Sequence, residues 1–148
     1  MNIEEKRRAD KISIIVPCYN EEACIEMVYT ETAAAMEALT EKEKVSYEII
    51  FVDDGSRDGT LKALRELAAA HTREAAQVRY LSFSRNFGKE AAMLAGLREA
   101  TGDYLVLMDA DLQHPPTLLP RMYRILRDSG GALDLCGARR RGRAGEGK

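Results

Sequence analysis

The sequence predicts an α/β domain: a doubly wound, mostly parallel sheet with helices on both faces. Three observations carry that prediction. Short apolar runs rich in β-branched residues alternate with longer segments of helical periodicity. Each of the first four apolar runs ends in a polar turn. The length, 148 residues, suits one domain with its own core. Strand and helix in strict alternation build a parallel sheet whose crossovers are right-handed, so few topologies remain.

The elements follow in order. Ile12 to Val16 is a continuous apolar run and reads as a buried strand. Asn20 offers an N-cap, with Glu21 and Glu22 suited to a first helical turn. Ile25, Val28, Thr32, Ala35, Met36 and Leu39 then recur at helical spacing. Tyr47 to Val52 is the second strand, and the turn DDGSRDGT leads into a helix carrying Leu61, Leu64 and Leu67. Val78 to Phe83 is the third strand. SRNFGKE opens a helix with Ala91, Leu94, Ala95 and Leu97 on its apolar face. Tyr104 to Met108 is the fourth strand. Pro115 and Pro116 suit a helix start, and Leu118, Leu119, Met122, Ile125 and Leu126 supply its apolar face. Leu133 to Cys136 reads as a short fifth strand. The polar stretches 40–46 and 70–77 read as surface loops.

Composition narrows the class. Hydrophobic residues make up 45% and charged residues 31%, as in a globular protein. A net charge of -2 gives no global basic field for a nucleic acid. Cys18, Cys24 and Cys136 form no CxxC pair, so they read as packing residues in a reducing, cytoplasmic compartment. No apolar run approaches bilayer-spanning length. The chain divides into a charged N-terminal extension (1–11), a folded domain (12–138) and a basic tail (139–148).

In a sheet of this kind, ligands bind beyond the carboxyl ends of the strands, where the strand order reverses. With an order such as 3-2-1-4, the turns after the first, second and fourth strands converge. The fourth strand ends in Asp109-Ala110-Asp111. Hard carboxylate oxygens there suit Mg²⁺ or Mn²⁺, although turn acids and a helix cap explain the same residues. Asp53 and Asp54 after the second strand exceed what capping requires, and their mutual repulsion calls for a partner: a base edge, ribose hydroxyls or a cation. Ser56 or Asp58 offers a cap for the next helix. Arg85 and Lys89 flank Gly88 and suit a phosphorylated ligand. Tyr19 either stacks on a base or plugs the sheet end. His114 reads as a solvated turn residue.

VPCYNEE, FVDDGSRDGT, SRNFGKEAAMLAGL and LVLMDADLQHPP occur in that order. Together they resemble family 2 glycosyltransferases of the GT-A nucleotide-sugar-binding fold. More narrowly, they are similar to polyprenyl-phosphate sugar transferases: the dolichol-phosphate mannose synthase group and bacterial undecaprenyl-phosphate glucosyltransferase-like enzymes. The resemblance covers the chain from Ile12 onward. It implies that Pro17, Tyr19, Asn20 and Glu21 line the base and ribose of a UDP- or GDP-sugar. Asp53 and Asp54 would face the base, and Lys89 would lie at the nucleotide edge. Asp109 and Asp111 form the DxD motif, with Asp111 the direct ligand of Mg²⁺ or Mn²⁺ and Gln113 a second. Arg139 would face a donor or acceptor phosphate.

The implied reaction inverts the anomeric centre, with a divalent ion neutralising the leaving diphosphate. The implied acceptor, a polyprenyl phosphate, is already largely ionised and needs no strong general base. The family's catalytic domain continues beyond the position of Lys148, so this stretch is expected to be the donor-binding part of an enzyme on the cytoplasmic face of the plasma membrane. Membrane contact is expected from that continuation. A binding-only remnant without catalysis is one rival reading. A haloacid-dehalogenase-like phosphatase also ends a strand in DxD, but after its first strand. Receiver domains place their acid pair there too, and dinucleotide-binding oxidoreductases place GxGxxG there, where this chain has PCYNEE.

Overall fold

The computed structural model describes residues 9–113 and 115–129, together with the backbone of 139–140. Among these residues five strands form one sheet: β1 (Asp10–Cys18), β2 (Val45–Asp53), β3 (Ala76–Ser82), β4 (Tyr104–Leu107) and β5 (Arg139–Arg140). Their order is β3-β2-β1-β4-β5. The first four are parallel, and β5 runs antiparallel to β4. The chain winds outward from β1 to β3, then returns to the other side of β1 for β4. The order therefore reverses at β1, and the carboxyl ends of β1 and β4 flank the switch point. The predicted strand Leu133 to Cys136 lies outside the described residues.

Among the described residues four helices cover the sheet: α1 (Ile25–Lys42), α2 (Thr60–His71), α3 (Lys89–Glu99) and α4 (Leu119–Asp128), the last entered through a 3-10 turn at Pro116–Leu118. The main core lies under α1, α2 and α4, where Ile14, Val16, Ile49 and Phe51 meet Val28, Met36, Leu64 and Leu119. All six residues predicted for the inner face of α1 are buried. A smaller core on the opposite face joins Ile15, Ile50 and Val52 to Ala92 and Ala100 around α3. Among the described residues no helix is long and apolar enough to cross a membrane.

Two helical faces differ from expectation. In α3 the buried residues are Ala92 and Gly96, and Leu94 is exposed. Small side chains let α3 lie close to the sheet: a Cβ on Gly96 would meet Ile15 Cγ2 at 2.4 Å. Ala95 and Leu97 of the predicted face pack partly buried against this smaller core, and Leu94 falls outside it. In α4 the inner face is Leu119, Tyr123 and Leu126, with Leu118 exposed. Tyr123 spends its hydroxyl on Asp10 Oδ2 at 2.6 Å, which permits its burial. The stretches 40–46 and 70–77 are mostly regular structure, since α1 and α2 run to Lys42 and His71 while β2 and β3 start at Val45 and Ala76. Polar residues on a solvated last turn do not end a helix, so polarity alone overstated both loops.

A polar cluster ties the amino ends of the strands together. Glu48 is fully buried in β2. Its carboxylate accepts from Ser13 Oγ (2.7 Å), Thr101 N and Oγ1 (2.8 Å each) and Arg79 Nη1 (2.8 Å). Gly102 N donates to Ser13 Oγ at 2.8 Å, and Lys11 Nζ donates to Thr101 Oγ1 at 2.6 Å. Burial pushes the Glu48 pKa up, but the hydrogen bonds from Thr101, Ser13 and Arg79 outweigh it and leave the carboxyl below its usual range.

Candidate functional site

The strand register brings three turns to one place. Cys18 pairs with Asp53, and Asp53 with Ser82, so β1, β2 and β3 end level. Pairing of β1 with β4 stops at Ile15 and Leu107, and Met108 N donates to Ile15 O at 2.9 Å. The chain beyond Met108 therefore emerges beside the last residues of β1. Between them lies a crevice of about 410 Å³. Pro17, Cys18, Tyr19 and Glu21 line it from the β1 side, and Asp109, Ala110, Asp111 and Gln113 from the β4 side. Asp54 and Lys89 complete it.

The turn after β1 is zipped to the turn after β2. Asn20 N donates to Ser56 Oγ (2.8 Å), and Arg57 N donates to Asn20 Oδ1 (2.9 Å). Glu21 N donates to Thr60 Oγ1 (3.0 Å), and Gly59 N donates to Glu22 Oε2 (3.1 Å). Asn20 sits at φ 52°, a left-handed conformation that asparagine tolerates. It is no helix cap: α1 starts at Ile25, with Cys24 at the cap position. Nor does Asn20 line the crevice; its side chain is spent on the neighbouring turn. Asp58, not Ser56, serves the start of α2, accepting from Thr60 N at 3.0 Å. The Thr60 hydroxyl also holds the Asp58 carboxyl below its ordinary pKa.

The two acids after β2 part company. Asp53 is 1% exposed, lies outside the crevice lining and accepts from Ser56 N at 3.0 Å. Asp54 is 4% exposed and reaches the crevice. Its carboxylate accepts from Phe87 N at 2.8 Å and from Gly88 N at 3.1 Å. It thus fastens the loop that precedes α3. Gly88 takes φ 104° and Lys89 opens the helix, so Asp54 fixes where Lys89 begins. Sequence reasoning assigned no such tie; the adjacency of DD and the glycine before the lysine were its only traces. Gly55 packs against the same loop: at φ 72°, a Cβ there would lie 2.2 Å from Arg85 C. Gly55→Ala is expected to destabilise the fold by about 2 kcal/mol or more, through strain at a left-handed residue and collision with backbone. Urea unfolding of the variant measures this.

Lys89 Nζ forms an ion pair with Asp109 Oδ1. Asp111 is exposed, and its Oδ1 accepts from Gln113 N at 3.2 Å. Leu112 between them takes φ 57°, a strained conformation for a branched apolar residue and one that marks a specialised turn. Cys18 lies buried beneath the site, and burial, with Asp53 and Glu21 nearby, pushes its thiol well up, so it is no nucleophile. Arg139 is placed through its backbone, paired with Leu105 at the free side of β4. His114 lies outside the described residues.

Four of the ten residues lining the crevice are carboxylates and one is a cation. Asp54 is spent on backbone N–H groups, leaving Glu21 on the β1 side and Asp109 and Asp111 together on one turn. Among the described residues no three His, Cys, Asp or Glu gather as a self-sufficient metal cluster. Two carboxylates on an open turn nonetheless fit a hard cation that takes its remaining ligands from water and a bound phosphate. A second, apolar cavity of about 330 Å³ adjoins the crevice; it shares Pro17, Lys89 and Asp109 and is walled by Met93, Val106 and Met122.

The open α/β sheet is the architecture of GT-A glycosyltransferases. The chain belongs to glycosyl transferase family 2, whose sequence model matches residues 13–147. It is 36% identical over 132 residues to the undecaprenyl-phosphate 4-deoxy-4-formamido-L-arabinose transferase of Aeromonas hydrophila, covering 89% of this chain and 37% of that one. It is 40% identical over 136 residues to the uncharacterized glycosyltransferase sll0501 of Synechocystis sp., covering 92% of this chain and 39% of that one. Among solved structures, the mannosyltransferase PcManGT of Pyrobaculum calidifontis in complex with GDP-Man and Mn²⁺ superposes with a TM-score of 0.63 at 28% identity. That match covers 81% of this chain and 33% of that one. The chain thus spans less than two fifths of the length of these relatives.

Proposed function

We propose that this chain forms the donor side of an inverting, metal-dependent glycosyltransferase that moves a sugar from a UDP- or GDP-sugar to a polyprenyl phosphate. The observation that carries the proposal is convergence. Residues from the turns after β1, β2 and β4, and from the start of α3, meet at one crevice at the switch point of the sheet. Pro17, Tyr19 and Glu21 form the wall that takes the base and ribose, with Tyr19 44% exposed and open to stacking. Asp54 borders the crevice and braces the loop of Lys89. Asp53 serves the same nucleotide wall from beneath, through the turn that Asn20 joins.

Asp109, Asp111 and Gln113 are the residues that would hold Mg²⁺ or Mn²⁺. Such an ion supplies Lewis-acid neutralisation of the departing diphosphate. Lys89 adds positive charge on the same side. Arg139, reached along the free side of β4, is assigned to a donor or acceptor phosphate. The adjoining apolar cavity supports an acceptor with an apolar portion beside its phosphate. The name of the Aeromonas relative supports undecaprenyl phosphate as that acceptor, and the PcManGT complex supports a nucleotide-sugar donor with a divalent ion. For the whole protein, the reading places the reaction at the cytoplasmic face of the plasma membrane.

Thermal unfolding tests the proposal. UDP or GDP at about 100 times its Kd, with Mn²⁺, is expected to stabilise the fold by about 2.7 kcal/mol. Mn²⁺ or nucleotide alone should give a fraction of that shift. Equal protection with and without the ion would contradict a metal-dependent donor site.

A further inference from the structure

We infer that Lys89 is an exchangeable counter-ion. It holds Asp109 while no ligand is bound and passes to the phosphates of an incoming nucleoside diphosphate, freeing Asp109 for the cation. The inference rests on the nucleotide reading above and adds to it a binding order: cation and nucleotide enter together, and each binds weakly alone.

Three features carry it. First, Lys89 is the one cation among the described residues that line the crevice, and its partner is a member of the DxD pair. A divalent ion on Asp109 and the ammonium of Lys89 compete for the same carboxylate. Second, the base of Lys89 is fixed while its side chain is long and exposed. The bonds from Phe87 N and Gly88 N to the Asp54 carboxylate anchor the backbone just before it. Its side chain is 61% exposed on a flexible four-carbon stem. Nζ can therefore sweep across the crevice without movement of α3. Third, the pair is cheap to break: Asp109 is itself 39% exposed, and ion pairs this open to water contribute little.

The exchange couples the two ligands. Cation alone must displace Lys89 and leave it unpaired. Nucleotide alone meets a surplus of carboxylates and must draw Lys89 from Asp109. When both bind, one ion pair is replaced by two favourable contacts, Lys89 to phosphate and Asp109 to cation. Each ligand then tightens the other by the same factor.

The test uses Mn²⁺ as the probe, with its free aqueous signal followed by electron paramagnetic resonance, alone and with saturating UDP or GDP. Lys89→Met is expected to bind Mn²⁺ alone about two- to fivefold tighter than the parent, the range for an exposed ion pair. Its gain in Mn²⁺ affinity on adding nucleotide should shrink at least as much. Lys89→Arg keeps the charge and should keep the parental coupling. Unchanged unfolding midpoints, expected for so exposed a side chain, show that both variants are folded. Lys89→Met with parental Mn²⁺ affinity and coupling, while nucleotide still binds, overturns the counter-ion role and leaves the donor site standing. Lys89→Arg behaving like Lys89→Met also overturns it. If the parent binds no nucleotide with Mn²⁺, both readings fall.

Discussion

Asp111→Ala and Asp111→Asn are each expected to weaken Mn²⁺-dependent binding of UDP or GDP at least about tenfold. Loss of groups that merely support a metal ligand already costs 10- to 100-fold. Binding measured without the ion should barely change. The two substitutions separate charge from turn geometry. Asn retains an oxygen for the bond from Gln113 N and so keeps the turn that holds Leu112 at φ 57°. It loses only the anionic character that a hard cation demands. Ala loses both. Because Asp111 is exposed, Asp111→Asn should cost no more than about 0.5 kcal/mol of stability, and Asp111→Ala about 1 kcal/mol for the lost bond from Gln113 N. Calorimetric titration of each variant, with and without Mn²⁺, reads the effect. Parental affinity in Asp111→Asn would remove Asp111 from the metal site.

Glu48→Ala should be the most destabilising of the substitutions considered, about 3–5 kcal/mol, because it leaves Arg79 without its inner partner and strips acceptors from Thr101 and Ser13. The melting temperature should fall by roughly 10 °C. The pH dependence has a definite sign. A carboxyl whose folded pKa is depressed stabilises fully above its unfolded value, about 4.3 for glutamate. That contribution disappears as pH falls through the lower folded value. The parent should therefore lose stability on acidification more steeply than Glu48→Ala, and the two curves should approach each other in acid. Parallel curves from pH 7 to pH 3 would contradict the role given to Glu48.

The framework was legible because period and burial agree. The inner face of α1 follows from its helical spacing, and the strands follow from apolar runs that the sheet buries on both faces. Strand ends were less legible, since pairing extends β1 from Asp10 to Cys18 and β3 back to Ala76, where side chains turn polar. The face of α3 was legible only in part: Ala95 and Leu97 pack against the smaller core, but close approach is made by Ala92 and Gly96, and hydrophobic size carries no information about contacts made by absence.

Polar residue types singled out the turns after the strands, and the order of the sheet brings those turns together. What stayed hidden was division of labour. Asp53 and Asp54 read alike in sequence, yet one faces its own turn and the other holds the loop before α3. Asn20 read as a cap, yet α1 starts at Ile25 and Asn20 joins two turns. These assignments depend on which backbone N–H lies within 3 Å or so of a side chain, which only the folded chain decides. The pairing of Lys89 with Asp109 is of the same kind: 20 residues apart, they meet because β4 returns beside β1.

The central claim is that a divalent cation and a nucleoside diphosphate share the crevice at the switch point between β1 and β4. Paramagnetic broadening of backbone amide resonances by Mn²⁺ tests it directly. In the presence of UDP or GDP, the amides of Tyr19, Glu21, Gly88, Ala110 and Asp111 should broaden first. Those of Thr101, Gly102 and Asp103, at the opposite end of the sheet, should keep their intensity. Broadening that is as strong without nucleotide as with it, or that centres away from the Asp109–Gln113 turn, would contradict the account.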